Sequence, residues 1–227
     1  IGFCIGFCIG FCIGFCIGYL NIVSNTRKMI KYGMYNWADN IPNSDEKRHF
    51  LMALDQIKHK SKPRILEIGT FTGSSIMAMK QHVPHAECTA IDNWKLNNTE
   101  LDACSAIAGI PITMMMVRDA FNQNTKNQVR LIENDSTCAL INLIENKEKF
   151  DLIYVDGSHR ASDTLLDLSY AWLLLDQGGI LAIDDYQWIP QINPDDRPKV
   201  AIDLFLAKLK TRYIILYSGY RVFLRKY

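Results

Sequence analysis

Blocks of apolar residues separated by polar breaks run through the chain from residue 43 onward and predict strands and helices in alternation. Asn43 or Ser44 can cap a helix with Asp45 and Glu46 in its first turn, and Phe50, Leu54 and Ile57 then fall on one face. "KSKP" breaks this helix, and "RILEIG" (64–69) follows as a short buried strand. After Gly73, "SSIMAMKQH" reads as a helix with Ser74 near its start, and "CTAID" (88–92) reads as a second strand. "VRLIENDS" (129–136) and "FDLIYVDGSH" (150–159) give a third and a fourth. Leu165, Leu168, Trp172 and Leu175 form a helical stripe, which Gly178-Gly179 is expected to end. "ILAIDD" is the fifth strand, Pro198 opens a last helix, and "YIILYSGYRVFLRK" reads as two strands turning around Ser218-Gly219.

Strands that alternate with helices imply a parallel sheet covered on both faces, with the terminal hairpin making one strand antiparallel. In such sheets ligands bind beyond the carboxyl ends of the strands. Those ends here carry Glu67, Asp92, Asp135, Asp156 and the pair Asp184-Asp185. Two adjacent carboxylates at the end of a strand buried on both faces are costly unless something positive meets them. Residues 93–128 are the least patterned, and a lid over the site is expected there. Within them "ITMMMV" (112–117) reads either as core packing or as an acceptor pocket lined by thioethers.

The first 16 residues are four copies of "IGFC", followed by "IGYL". Residues 1–20 are uncharged and about as long as a bilayer is thick, so a membrane anchor is one reading. An alternating strand is another, and a segment without selected structure is a third, with Met29 or Met34 as the start residue. The division expected is residues 1–20 as this repeat, 21–62 as a helical extension and 63–227 as the main domain.

With 227 residues, 48% of them hydrophobic, the chain can build one sizeable α/β domain. Its 25 Lys and Arg against 24 Asp and Glu argue against a nucleic-acid partner, which needs a basic excess or face. Of the seven cysteines, Cys88, Cys104 and Cys138 lack metal or disulfide spacing and read as small buried apolar groups in a reducing, cytoplasmic compartment.

"LEIGTFTGSS" (66–75) is a strand-to-helix turn in which Gly69 and Gly73 let backbone come close to a ligand. It lacks the G-x-G-x-x-G spacing of dinucleotide sites, which weighs against a nicotinamide-dependent oxidoreductase. Together "ILEIGTFTGSS", "AIDNW", "IENDS", "FDLIYVDGSH", "GGILAIDDY" and "GYRVFLRK" resemble the S-adenosylmethionine-dependent methyltransferases of Rossmann-like fold. The likeness is greatest to the sugar and small-molecule O-methyltransferases of the macrocin type, and more distant to catechol O-methyltransferase.

The resemblance implies an α/β fold with a seven-stranded, mostly parallel sheet whose last strand is antiparallel. It implies that Glu67, Gly69, Thr70, Phe71, Gly73 and Ser74 cradle the methionine part of the cofactor. Asp92 with Asn93 would hold the ribose, Trp94 standing beside them as cofactor contact or plain aromatic packing. Asp135 and Ser136 would face the adenine, and Asp156 is counted among the cofactor contacts as well. In the metal-dependent relatives, acids at the positions of Asp156, Asp184 and Asp185 bind Mg²⁺ or Mn²⁺, which chelates the acceptor's hydroxyls. His159 stands where the catechol enzyme has its general-base lysine, so His159 and Asp156 are the catalytic candidates; helix capping is the alternative for His159. Catechol O-methyltransferase has Asn where this chain has Asp185. The expected reaction is methylation of a hydroxyl on a small molecule or sugar. Hydroxylation of the cephalosporin hydroxylase type is the rival on the same fold, and a homo-oligomer stays open.

Overall fold

The computed structural model describes residues 45–95, 105, 111–188 and 193–227. The IGFC repeat, and residues 96–104 and 106–110 of the expected lid, lie outside them. Among the described residues no helix is long and apolar enough to cross a membrane.

The elements in order are α1 (Asp45–Ile57), β1 (Arg64–Ile68), α2 (Ser74–His82), β2 (Glu87–Asp92), α3 (Met114–Thr125), β3 (Val129–Glu133) and α4 (Ser136–Glu145). They continue with β4 (Phe150–Val155), α5 (Ala161–Leu174), β5 (Leu175–Ile183), a short 3₁₀ turn (Pro194–Asp196), α6 (Pro198–Leu209), β6 (Tyr213–Ser218) and β7 (Val222–Lys226). One seven-stranded sheet results, in the order β3-β2-β1-β4-β5-β7-β6, with β7 antiparallel to both its neighbours. The fold class expected from the sequence is the one observed.

Alternation along each strand divides the core in two. Ile65, Ala90, Tyr154, Ile180, Ala182 and Phe223 pack under α1, α2 and α3, against residues such as Phe50, Leu54, Ile76 and Val117. Leu66, Ile68, Ile153, Leu181 and Leu224 pack on the other face against α4, α5 and α6. Burial of α1 through Phe50, Leu54 and Ile57 follows its sequence periodicity.

Helices α3 and α4 occupy stretches to which the apolar pattern assigned no element. Thr113 caps α3 by accepting from Met116 N, and Asp135 caps α4 by accepting from Thr137 N. The third strand therefore stops at Glu133, before Asp135 and Ser136. In "ITMMMV", Ile112, Met116 and Val117 belong to the core while Met115 is exposed, so packing accounts for most of that run. Cys88 is buried as expected; Cys138 is exposed, on the outer side of α4.

The end of α5 also departs from expectation. The helix stops at Leu174, and Leu175 already pairs with Phe150 in β5. Gly178, at φ 76°, instead lies in an irregularity between the Leu175 and Ile180 pairings. The terminal carbonyls of α5 are met by distant lysines. Lys226 Nζ donates to the Trp172 and Leu175 oxygens (2.6 and 2.8 Å), and Lys149 Nζ to Leu173 O (2.6 Å).

Backbone bonding continues one residue past the strands. Gly69 N donates to Ile91 O, Asp156 N to Ile68 O and Asp184 N to Val155 O, each at 2.9 Å. The strand ends are thus held level, and β1 and β4 meet at the point where the strand order reverses. A Cβ on Gly69 would lie 2.0 Å from Asp156 O, at a backbone φ of 83°. Gly69→Ala is therefore expected to cost about 3 kcal/mol or more in urea unfolding, combining overpacking with left-handed backbone strain.

Candidate active site

The turn after β1 is organised around two acids. Glu67 shares a face with Ile65 and is fully buried. Its carboxylate accepts from the hydroxyls of Thr70 (2.5 Å) and Ser75, and burial without a facing cation pushes it up to about 7. Asp92, at the end of β2, accepts from Phe71 N and Trp94 N, both at 2.7 Å. Burial raises Asp92 above the usual carboxylate range, and the backbone N–H groups hold it back. So Glu67 and Asp92 shape the turn from below and from the side.

The other members of the predicted cofactor set fall around this turn. Thr70 is buried, Phe71 is left-handed at φ 49°, and Ser74 opens α2 directly after Gly73; the buried Ser75 beside it was not anticipated. A Cβ on Gly73 would approach Phe121 at 2.8 Å and Thr125 at 3.0 Å, so α3 closes that side of the turn. Trp94 is buried, donates Nε1–H to Phe71 O (3.0 Å) and meets Phe121 edge to face. Asn93 accepts from Lys95 N (3.0 Å). Farther along the edge, Asp135 caps α4, and Ser136 lies near enough to Asp167 to hold its pKa back. Asp167 was not anticipated. It is buried on α5, burial pushes it up to about 6, and Gly157 sits against its Oδ2. A short acidic residue in mid-helix gives no sequence signal of such a role.

At the ends of β4 and β5 the three expected acids meet but divide their roles. Asp184 Oδ2 receives Arg221 Nε (2.9 Å), Arg221 Nη2 (2.8 Å) and the Tyr154 hydroxyl, while Oδ1 receives Asp185 N (2.8 Å). Burial still raises Asp184, with Arg221 opposing. Asp185 leaves the strand at φ 59°, which turns its carboxylate away from Asp184's partners. It accepts from the Tyr220 hydroxyl (2.8 Å) and lies 3.0 Å from His159 Nε2. Asp156 is driven well above the usual carboxylate range by burial and by the nearby carboxylates of Asp184 and Asp185.

The donors that converge are therefore Asp156, His159 and Asp185, with one ligand atom from each mutually within 4.8 Å. The sequence suggested Asp184 where the structure brings in His159. His159 is not the cap of α5, a position held by Arg160; its ring lies against Asp185 and stacks on Trp188 at 4.4 Å. Tyr154, Arg221, Tyr220 and Trp188 were not foreseen as parts of this site. The quoted "GYRVFLRK" did contain Tyr220 and Arg221, whose role becomes visible only through the hairpin register. Three carboxylates face one guanidinium, and two carboxylates with an imidazole form a donor set that suits a divalent cation.

A family model described as "Methyltransferase domain" matches residues 66–186, which include the turn, the acid-ended strands and His159. Protein R132 of Acanthamoeba polyphaga mimivirus, uncharacterized itself, is 26% identical over 152 residues, covering 64% of this chain and 63% of that protein. The chain thus spans less than two thirds of that relative's length. An O-methyltransferase from Bacillus cereus, solved in complex with SAH, is similar at TM-score 0.57 and 18% identity, over 90% of this chain and 91% of that one. MycE, a methyltransferase of the mycinamycin biosynthetic pathway solved with Mg and SAH, is similar at TM-score 0.53 and 15% identity, over 79% of this chain and 48% of that one. At these identities the two structures share the fold.

Three variants test the electrostatics. Arg221→Met leaves Asp184 buried beside other carboxylates and is expected to cost about 3 kcal/mol or more; adding Asp184→Asn should recover most of that in urea unfolding. Glu67 has a folded pKa raised from 4.5 to about 7, so its favourable contribution is complete below pH 4.5 and is lost as pH rises through about 7. Its share of that loss is about 3 kcal/mol, and Glu67→Gln should remove it, flattening the dependence of unfolding free energy on pH between those values.

Proposed function

The chain belongs to the methyltransferase-domain family, and from that premise we propose that it methylates a hydroxyl of a small molecule or sugar, with S-adenosylmethionine as donor and a divalent cation at Asp156, His159 and Asp185. The observation that carries this reading is the meeting of those three donors at the switch point, beside the Gly69 turn. The O-methyltransferase likeness in fold supports the donor, and the Mg present in MycE supports the cation by analogy.

The cofactor supplies an activated methyl group; the cation supplies a Lewis acid that lowers a hydroxyl's pKa. The remaining work falls to side chains. Glu67 offers the positive donor a buried negative charge, and Asp92 keeps lone pairs for ribose hydroxyls beyond those that Phe71 and Trp94 use. Asp135 and Ser136 border the adenine side. A hydroxyl brought to the cluster lies beside its three donors and loses its proton, as the methyl moves, to a carboxylate oxygen of Asp156 or Asp185 that the cation leaves free. Arg221 opposes the burial that raises Asp184 and occupies its carboxylate, which leaves Asp156, His159 and Asp185 as the converging donors.

Calorimetry tests this directly. Titration with S-adenosylmethionine should show saturable binding, and Mn²⁺ should bind in its presence. Asp185→Asn should keep the cofactor affinity but weaken Mn²⁺ roughly ten- to a hundredfold, as loss of a charged ligand entails. Absence of cofactor binding with and without Mn²⁺ ends the enzyme assignment. Release of S-adenosylhomocysteine against a panel of polyhydroxylated acceptors would then identify the substrate class.

A further inference from the structure

The turn that ends β5 carries a residue whose geometry the reaction described above does not use. Asp185, left-handed at φ 59°, bends the chain back, and Trp188 N donates to Asp185 O at 3.0 Å to close the turn. The bend lays the Trp188 indole against the imidazole of His159, with ring centroids 4.4 Å apart and planes 18° from parallel. The same imidazole holds its Nε2 3.0 Å from Asp185 Oδ2. One four-residue stretch, Asp185 to Trp188, therefore supplies both the carboxylate that His159 meets and the flat surface that sets its ring plane.

His159 needs such a support. It sits in the segment between β4 and α5, where its side chain is 29% exposed and keeps some freedom to reorient. Offset stacking on an indole restricts that freedom and leaves the edge of the ring, where Nε2 meets Asp185, uncovered. Orientation by a neighbour is the usual means of making an imidazole an effective ligand. The choice of ion follows from donor type. Mg²⁺ takes oxygen ligands and gains little from a nitrogen, whereas Mn²⁺ accepts the mixed set.

We propose that Trp188 is a positioning residue that holds His159 in the donor set and thereby makes the site prefer Mn²⁺ to Mg²⁺. This rests on the divalent-cation reading above. The measurement uses the full chain with Mn²⁺ and Mg²⁺ separately, Mn²⁺ by the electron paramagnetic resonance of the free ion and Mg²⁺ by calorimetry. Wild type should bind Mn²⁺ more tightly than Mg²⁺. Trp188→Leu should weaken Mn²⁺ about tenfold, the size expected for loss of a ligand-orienting neighbour. Its Mg²⁺ and S-adenosylmethionine affinities should stay as in wild type. Trp188→Phe, which keeps a stacking face, should restore the Mn²⁺ preference, and His159→Ala should reproduce the Leu result. An unchanged Mn²⁺-to-Mg²⁺ ratio in Trp188→Leu, or an equal loss of both ions, overturns the proposal. If wild type binds S-adenosylmethionine but neither ion, the cation reading itself falls and this inference falls with it.

Discussion

Among the described residues Arg221 is the guanidinium set among the three carboxylates at the ends of β4 and β5, and the arrangement of the site depends on where it goes. It bonds Asp184 through two nitrogens and also donates to the Tyr154 hydroxyl (3.2 Å). An ion pair this buried gains little net stability, because desolvation offsets much of the attraction. What it does supply is direction. With Asp184 occupied, Asp156 and Asp185 are left to gather with His159, and the Tyr220 hydroxyl bonds the latter acid.

The glycine turn is likewise built before any ligand arrives. Gly69 is required by the close passage of the Asp156 carbonyl, and Gly73 by the Phe121 ring. Neither position is open merely so that a ligand can fit. Asp92 ties the turn from outside while Thr70 and Ser75 tie it to Glu67 from within. A binding loop whose polar groups are satisfied in advance loses less entropy when it binds, so rigidity here serves recognition.

How much of this could be read from sequence follows from the range of each signal. Strands such as Phe150–Val155, buried on both faces, announce themselves as short apolar runs ending in an acid, and the edge where those acids gather was foreseeable. Helix α3 was not, because Thr113 stands inside the apolar run "ITMMMV" and does not look like a cap, nor was α4, because its Asp135 cap and Ser136 continue the run "VRLIENDS". The end of α5 was misplaced because Gly178-Gly179 imitates a helix stop, whereas the terminal carbonyls are capped by Lys149 and Lys226 from other elements. Convergence of Asp156, Asp184 and Asp185 was legible. Their division of labour was not, since Arg221 lies 37 residues from Asp184 and Trp188 looks like any aromatic after a strand.

The antiparallel strand explains how the cation reaches the acids at all. In a parallel strand the residues that precede it lie at the pole opposite the ligand crevice. Strand β7 runs the other way, so the residues entering it arrive at the carboxyl ends of β4 and β5. Ile183 pairs with Val222, which places Arg221, one residue earlier, beside Asp184, one residue later. Tyr220 follows in the same sense and meets Asp185. A register slip of one residue would move Arg221 to the opposite face of the sheet. The alternation of Val222 and Leu224 into one core layer and Phe223 into the other is what prevents that slip. Apolar packing far from the site thus decides which acid Arg221 meets, and so which acids are left to cluster with His159.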